Sequence, residues 1–125
     1  MKIEINNHRK IFAIQKEFCA SFPGLKIEFH EKPHKQGGPP SEKLVKSNSK
    51  TLAECRSLHN EGFITIHSQM TTGDVKQMFR DGFGLTIELF QKTENKSWRK
   101  IPITELSILD NLNRETEYLK PIVLK

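Results

Sequence analysis

Apolar and polar positions alternate in Lys2-Ile3-Glu4-Ile5 and again in Phe63-Ile64-Thr65-Ile66-His67, the two-residue period of a strand with one buried face. The period then lengthens. Ile11, Ile14, Phe18 and Phe22, and later Val75, Met78, Phe79 and Phe83, recur at helical spacing, so each predicted helix carries one apolar stripe. Alternation returns in Leu25-Lys26-Ile27-Glu28-Phe29-His30 and in Leu85-Thr86-Ile87-Glu88-Leu89-Phe90. Thr71-Thr72-Gly73-Asp74 opens the second helix with a hydroxyl that can cap free amides and an acid suited to the positive helix end. Pro23-Gly24 and Gly82-Phe83-Gly84 stop the helices, and the last two glycines read as C-caps.

The two β-α-β patterns are copies of one another. A shift of 61 residues lays Ile3, Ile5, Ile14, Phe18 and Phe22 on Ile64, Ile66, Val75, Phe79 and Phe83. After a gap of one residue, Gly24, Leu25, Ile27, Glu28, Phe29 and Lys32 fall on Gly84, Leu85, Ile87, Glu88, Leu89 and Lys92. The repeat units span about 2–32 and 63–92 within what reads as a single domain, 1–125. Thr51-Leu52-Ala53-Glu54 has the form of a capping box and starts a short helix to about His59. Trp98 to Ile103 reads as an edge strand, since Pro102 cannot donate to a ladder. A last helix follows over roughly Ser107 to Tyr118, and Pro121-Ile122-Val123-Leu124 is a tail or one more short strand.

Strands that are apolar on one face argue against a doubly wound parallel sheet. The expected class is α+β, a ferredoxin-like βαββαβ arrangement extended by the edge strand and C-terminal helix, with a β-grasp sheet as the alternative. The run Phe18-x-x-x-Phe22-Pro23-x-Leu25-Lys26-Ile27-Glu28-Phe29 resembles small bacterial proteins of unassigned function, a resemblance that implies no activity.

Charge changes the picture through its placement. The 20 Lys+Arg and 15 Asp+Glu leave the chain at +5. Residues 1–60 hold 11 of the bases and 6 acids, against 9 and 9 in 61–125. The surplus gathers in Lys32 and in Lys35, Lys43, Lys46 and Lys50 of the Gly/Pro-rich loop 33–50 between the repeats, a solvated loop whose Gly37-Gly38 stretch reads as a flexible linker. These five lysines are the candidate polyanion-binding residues, able to hold phosphates of nucleic acid as point charges.

Catalytic chemistry has no motif here. There is no Gly-x-Ser-x-Gly, and no glycine-rich loop opens a helix as a phosphate cradle requires. His30 and His34 sit about 13 Å apart at strand rise, with Pro33 between them, too far to share a metal. Cys19 and Cys55 lack a Cys-x-x-Cys spacing and read as partly buried thiols of a reducing compartment. Cys55 beside Arg56 is the better candidate for a reactive thiol. No catalytic, cofactor or metal site is therefore expected.

If the isoleucines face the helices, the opposite face carries Lys2, Glu4, Lys26, Glu28, His30, Phe63, His67, Glu88 and Phe90, among others. RNA-recognition-motif domains stack bases on such a face, but Phe63 to His67 lacks their Gly- and aromatic-rich motif. Coverage by the terminal helix or by another subunit is the expectation. Phe63, His67, Phe90 and Trp98 are thus the candidate interface residues of a non-enzymatic cytoplasmic module that binds a protein partner or itself through its open sheet face or through the edge strand near Trp98 to Ile103. Weak nucleic-acid binding through the basic loop is the alternative. No membrane or small-molecule partner is expected.

Overall fold

The computed structural model describes residues 1–33, 35, 38, 39 and 41–118. Its elements run β1 (Lys2–Ile5), α1 (Ile11–Ser21), β2 (Leu25–Phe29), one 3-10 turn (Leu52–Cys55), β3 (Gly62–Thr65), α2 (Thr72–Phe83), β4 (Ile87–Lys92), β5 (Trp98–Lys100) and α3 (Leu109–Tyr118). The class is α+β. β1 pairs with β3 in one antiparallel sheet, while β2, β4 and β5 form a second in that order. Element order and the antiparallel β1–β3 pair are compatible with a ferredoxin-like class; β2 ladders with β4, so the strands divide into two sheets. Corresponding positions of the two sequence copies meet across the ladders: Ile3 lies opposite Ile64, and Glu28 opposite Glu88.

The apolar stripes build the core. Ile11, Ile14, Phe18 and Phe22 from one copy, and Val75, Phe79 and Phe83 from the other, are buried against Ile3, Ile5, Ile64, Ile66, Ile27 and Leu89. Phe29 and Phe79 meet edge to face, their centroids 6.0 Å apart. Ile101, Leu109 and Leu112 add the C-terminal part of the same cluster.

Helix α1 has no side-chain cap at Lys10. Its first amides are satisfied instead by the loop: Ile11 N–H donates to Lys50 O (2.9 Å) and Phe12 N–H to Asn48 O (3.0 Å). Leu52 N–H donates to Arg9 O in turn. The same loop is fastened to β2, with Glu31 N–H on Lys43 O and Val45 N–H on Phe29 O (both 2.8 Å) and Val45 buried. Segment 41–51 is therefore held at two places, because the free amides of α1 and the free backbone groups at the β2 edge recruit its carbonyls and amides.

Helix α2 starts as its sequence implies, with Asp74 N–H donating to Thr71 Oγ1 (3.2 Å) and Thr71 N–H to Asp74 Oδ2 (3.0 Å). Gly84 ends it at φ 64° and ψ 27°, a left-handed conformation. A Cβ there would also stand 3.1 Å from Leu58 Cβ. Gly82 is not a cap: it lies in the last turn, and a Cβ on it would meet nothing within 4 Å. Opposite effects are expected in chemical denaturation. Gly84→Ala should destabilise by about 1–2 kcal/mol, whereas Gly82→Ala should stabilise by up to about 1 kcal/mol.

Several boundaries differ from the sequence pattern, among them the third strand, which is Gly62–Thr65 and stops short of His67. β4 is displaced two residues toward the C-terminus, one full pleat period, so its alternation is unchanged. The helix expected from Thr51 to His59 is a single 3-10 turn. β5 ends at Lys100, although Ile101 N–H still donates to Leu89 O (2.9 Å) before Pro102 stops the ladder. The stretch Pro121 to Leu124, like His34, Gly37 and Pro40, lies outside the described residues.

Candidate interaction surfaces

The outward positions expected on one open face are distributed over different environments. Glu88 and His30, on that face by alternation, are only 6% and 9% exposed. Lys76 reaches over from α2 and the segment at Ser41 closes from the side. Lys76 Nζ donates to Glu88 Oε1 (2.8 Å), Lys100 Nζ stands 3.4 Å from Oε2, and His30 Nε2 is 3.0 Å from Oε2. His30 Nδ1–H donates to Ser41 O (2.6 Å), so both ring nitrogens face acceptors. Burial by itself would raise the Glu88 carboxyl. The hydrogen bonds from Lys76 and His30 and the charges of Lys76 and Lys100 outweigh it, holding the acid below the usual carboxylate range. This cluster ties β2, β4, β5, α2 and the loop together, and its polar atoms are spent on one another.

Phe63 is on the β1–β3 sheet, 57% exposed, with Lys2 Nζ 4.5 Å from its ring centroid. It borders a shallow cleft of about 630 Å³ lined also by Lys2, Glu4, Asn6, His8, Arg9 and Glu17. Arg9 is already committed there, its guanidinium gripping both oxygens of the Glu17 carboxylate and donating to Glu4 O. Phe90 and Trp98 are on the other sheet, where Lys26 Nζ lies 5.3 Å and 5.0 Å from their centroids. His67 is exposed just beyond β3. The four candidate interface residues are thus not one surface. Helix α3 does not cover Phe90 either. Its Leu112 carbonyl accepts from Gln91, which alternation places with Ile87 and Leu89 on the core side of β4.

Lys32, Lys35, Lys43, Lys46 and Lys50 are all exposed. Cys19 is exposed as well, against the expectation of burial, while Cys55 is buried beneath the 3-10 turn. Burial pushes the Cys55 thiol up to about 11, with Lys50 opposing, so it is a neutral thiol near pH 7 and its candidacy as a reactive group is withdrawn.

Arg56, named beside it, turns the other way and is fully buried. Its guanidinium donates to Phe83 O at the end of α2 (3.0 Å), to Asn7 Oδ1 after β1 (2.9 Å) and to Asn60 Oδ1 (3.3 Å). Burial lowers its pKa, with Glu61 opposing, yet it stays charged, and the negative end of α2 suits it.

The edge expected near Trp98 to Ile103 extends further along the chain than its pattern shows. Trp98, Ile103 and Leu106 are 37%, 58% and 78% exposed along the segment 98–106, next to the outer edge of β5, which has no partner strand among the described residues. Trp98 and Ile103 belong to the expected edge, whereas Leu106 lies outside it, because an isolated apolar residue in a turn shows no periodicity. No group of three or more His, Cys, Asp or Glu is placed to hold a metal among the described residues, and none of their helices is long and apolar enough to cross a membrane. No family model, curated protein or solved structure matches the chain.

Proposed function

We propose that the chain is a non-enzymatic cytoplasmic interaction module whose contact surface is the edge of β5 and the apolar turn that follows it. The observation that supports this is the exposure of Trp98, Ile103 and Leu106 beside an unpaired strand edge. Such an edge can accept a partner's strand, with backbone hydrogen bonds supplying affinity and alternate side chains supplying choice. Charge narrows the partner. Arg99 and Lys100 would face their own copies or near neighbours if two β5 edges paired antiparallel, and like charges opposite one another oppose pairing. An extended segment of another protein, apolar and acidic in alternation, suits the edge better than a second copy does.

Selection from a displayed library of random peptides, with the full chain as bait, tests this. Enriched peptides should alternate apolar and acidic residues and lose binding to Leu106→Asp and Ile103→Asp, both exposed sites where the fold tolerates charge. Enrichment of basic or patternless peptides, or undiminished binding to both variants, would overturn the reading. So would a stable dimer in sedimentation that Leu106→Asp dissociates.

A further inference from the structure

The fastening of the loop onto α1 creates a second surface, separate from the β5 edge. Phe12 N–H donates to Asn48 O and Ile11 N–H to Lys50 O, and Lys10 bridges Thr51, so loop residues 48–51 run beside the first turn of the helix. Phe12 is 47% exposed there. Lys10 and Lys50 belong to the two paired segments, Lys46 lies two residues before Asn48 on the loop, and Lys16 is one turn on along the same helix face as Phe12. All four lysines are exposed, and none forms an ion pair among the described residues. The local acid, Glu54, is held by the Thr51 amide at 2.7 Å and is also stabilised by the charges of Lys50 and Lys10, so one carboxylate offsets part of the charge of the four lysines. The helix N-terminus is not itself the site, because its leading amides are already taken by the loop.

We infer that this patch binds single-stranded nucleic acid, with Phe12 as a stacking platform for a base and Lys10, Lys16, Lys46 and Lys50 neutralising the flanking phosphates. The charge is complementary to a polyanion, and an exposed aromatic ring at its centre suits an unpaired base, since every base offers a π-face. Basic and aromatic residues that are far apart in sequence interleave here in space. Lysines hold phosphates as point charges without the fork that reads base edges, so the binding is tolerant of sequence and steep in salt.

Fluorescence anisotropy with a short labelled oligothymidylate, the matching duplex and the full chain tests the inference. Single-strand binding should appear at low salt and fall with a log–log slope near −3, about −0.7 for each neutralised phosphate. Phe12→Ser should weaken it roughly tenfold, Phe12→Trp should keep it, and changing the four lysines to Ser should abolish it. Leu106→Asp should leave it unchanged, which separates this site from the β5 edge. Absence of binding at low salt, duplex binding as tight as single-strand binding, or indifference to Phe12→Ser would each overturn it, the last leaving general polyanion attraction only. Circular dichroism of each variant confirms that these exposed changes leave the fold intact.

Discussion

Replacing Arg56 by alanine is expected to remove about 4 kcal/mol of folding free energy, a large share of the roughly 5–15 kcal/mol that holds a domain together. The side chain is fully buried and joins three separate pieces of chain through Asn7, Asn60 and the Phe83 carbonyl. Two losses add in the alanine variant: a cavity where a long side chain stood, and a buried carbonyl at Phe83 left without its donor. Arg56→Met separates them. It refills most of the volume but donates nothing, so its cost should be smaller, about 2–3 kcal/mol. Urea denaturation of the three proteins reads the difference, and a methionine variant as stable as the parent would show that the guanidinium bonds contribute nothing net.

The second large effect is expected at Glu88. Glu88→Ala leaves His30 and Lys76 crowded without their shared acceptor, and a cost of about 3 kcal/mol follows, the lower end for breaking a buried ion cluster. Lys100 moderates the loss, because at 61% exposure it can retreat to water. The sign of the pH dependence comes from the direction of the Glu88 shift. A carboxyl held below its ordinary value in the folded state stabilises fully above the unfolded-state pKa of about 4.3, and the contribution drains away as the pH falls through the lower folded value. The gap in urea midpoint between the parent and Glu88→Gln should therefore be wide near neutral pH and shrink in acid. A gap that stays constant into acid would show that the carboxylate charge is not what stabilises the cluster.

Local pattern made much of the architecture legible. The stripe Ile11, Ile14, Phe18, Phe22 and its counterpart Val75, Phe79, Phe83 are buried as their spacing implies, and the Thr71–Asp74 box caps α2. What could not be read was non-local. Alternation in β2 and β4 says which side chains share a face but not which strands pair, and a displacement of two residues leaves the pattern identical, so the ends of β4 were invisible. Lys10 carries no capping signal because its helix is capped by carbonyls some forty residues on. The candidate surfaces divide in the same way. Exposure of the five lysines follows from their charge. The place of Phe12 beside Asn48 and Lys50 depends on the path of the loop, and the burial of Arg56 depends on acceptors from both halves of the chain.

The meeting of Ile3 with Ile64 and of Glu28 with Glu88 has a further consequence. Each ladder contains one pair of equivalent residues, so a local two-fold axis passes through the ladder at that pair, as it would between two subunits of a dimer, and like residues must face one another on it. For isoleucine that is favourable. For glutamate it places two carboxylates in opposition, and the chain resolves the conflict by abandoning symmetry there. Glu88 takes Lys76, His30 and Lys100 and goes inside, while Glu28 turns to Lys26 and Gln15 and keeps contact with water. A half-chain pairing with its own copy would place two identical carboxylates on that axis; one fused chain can furnish them differently.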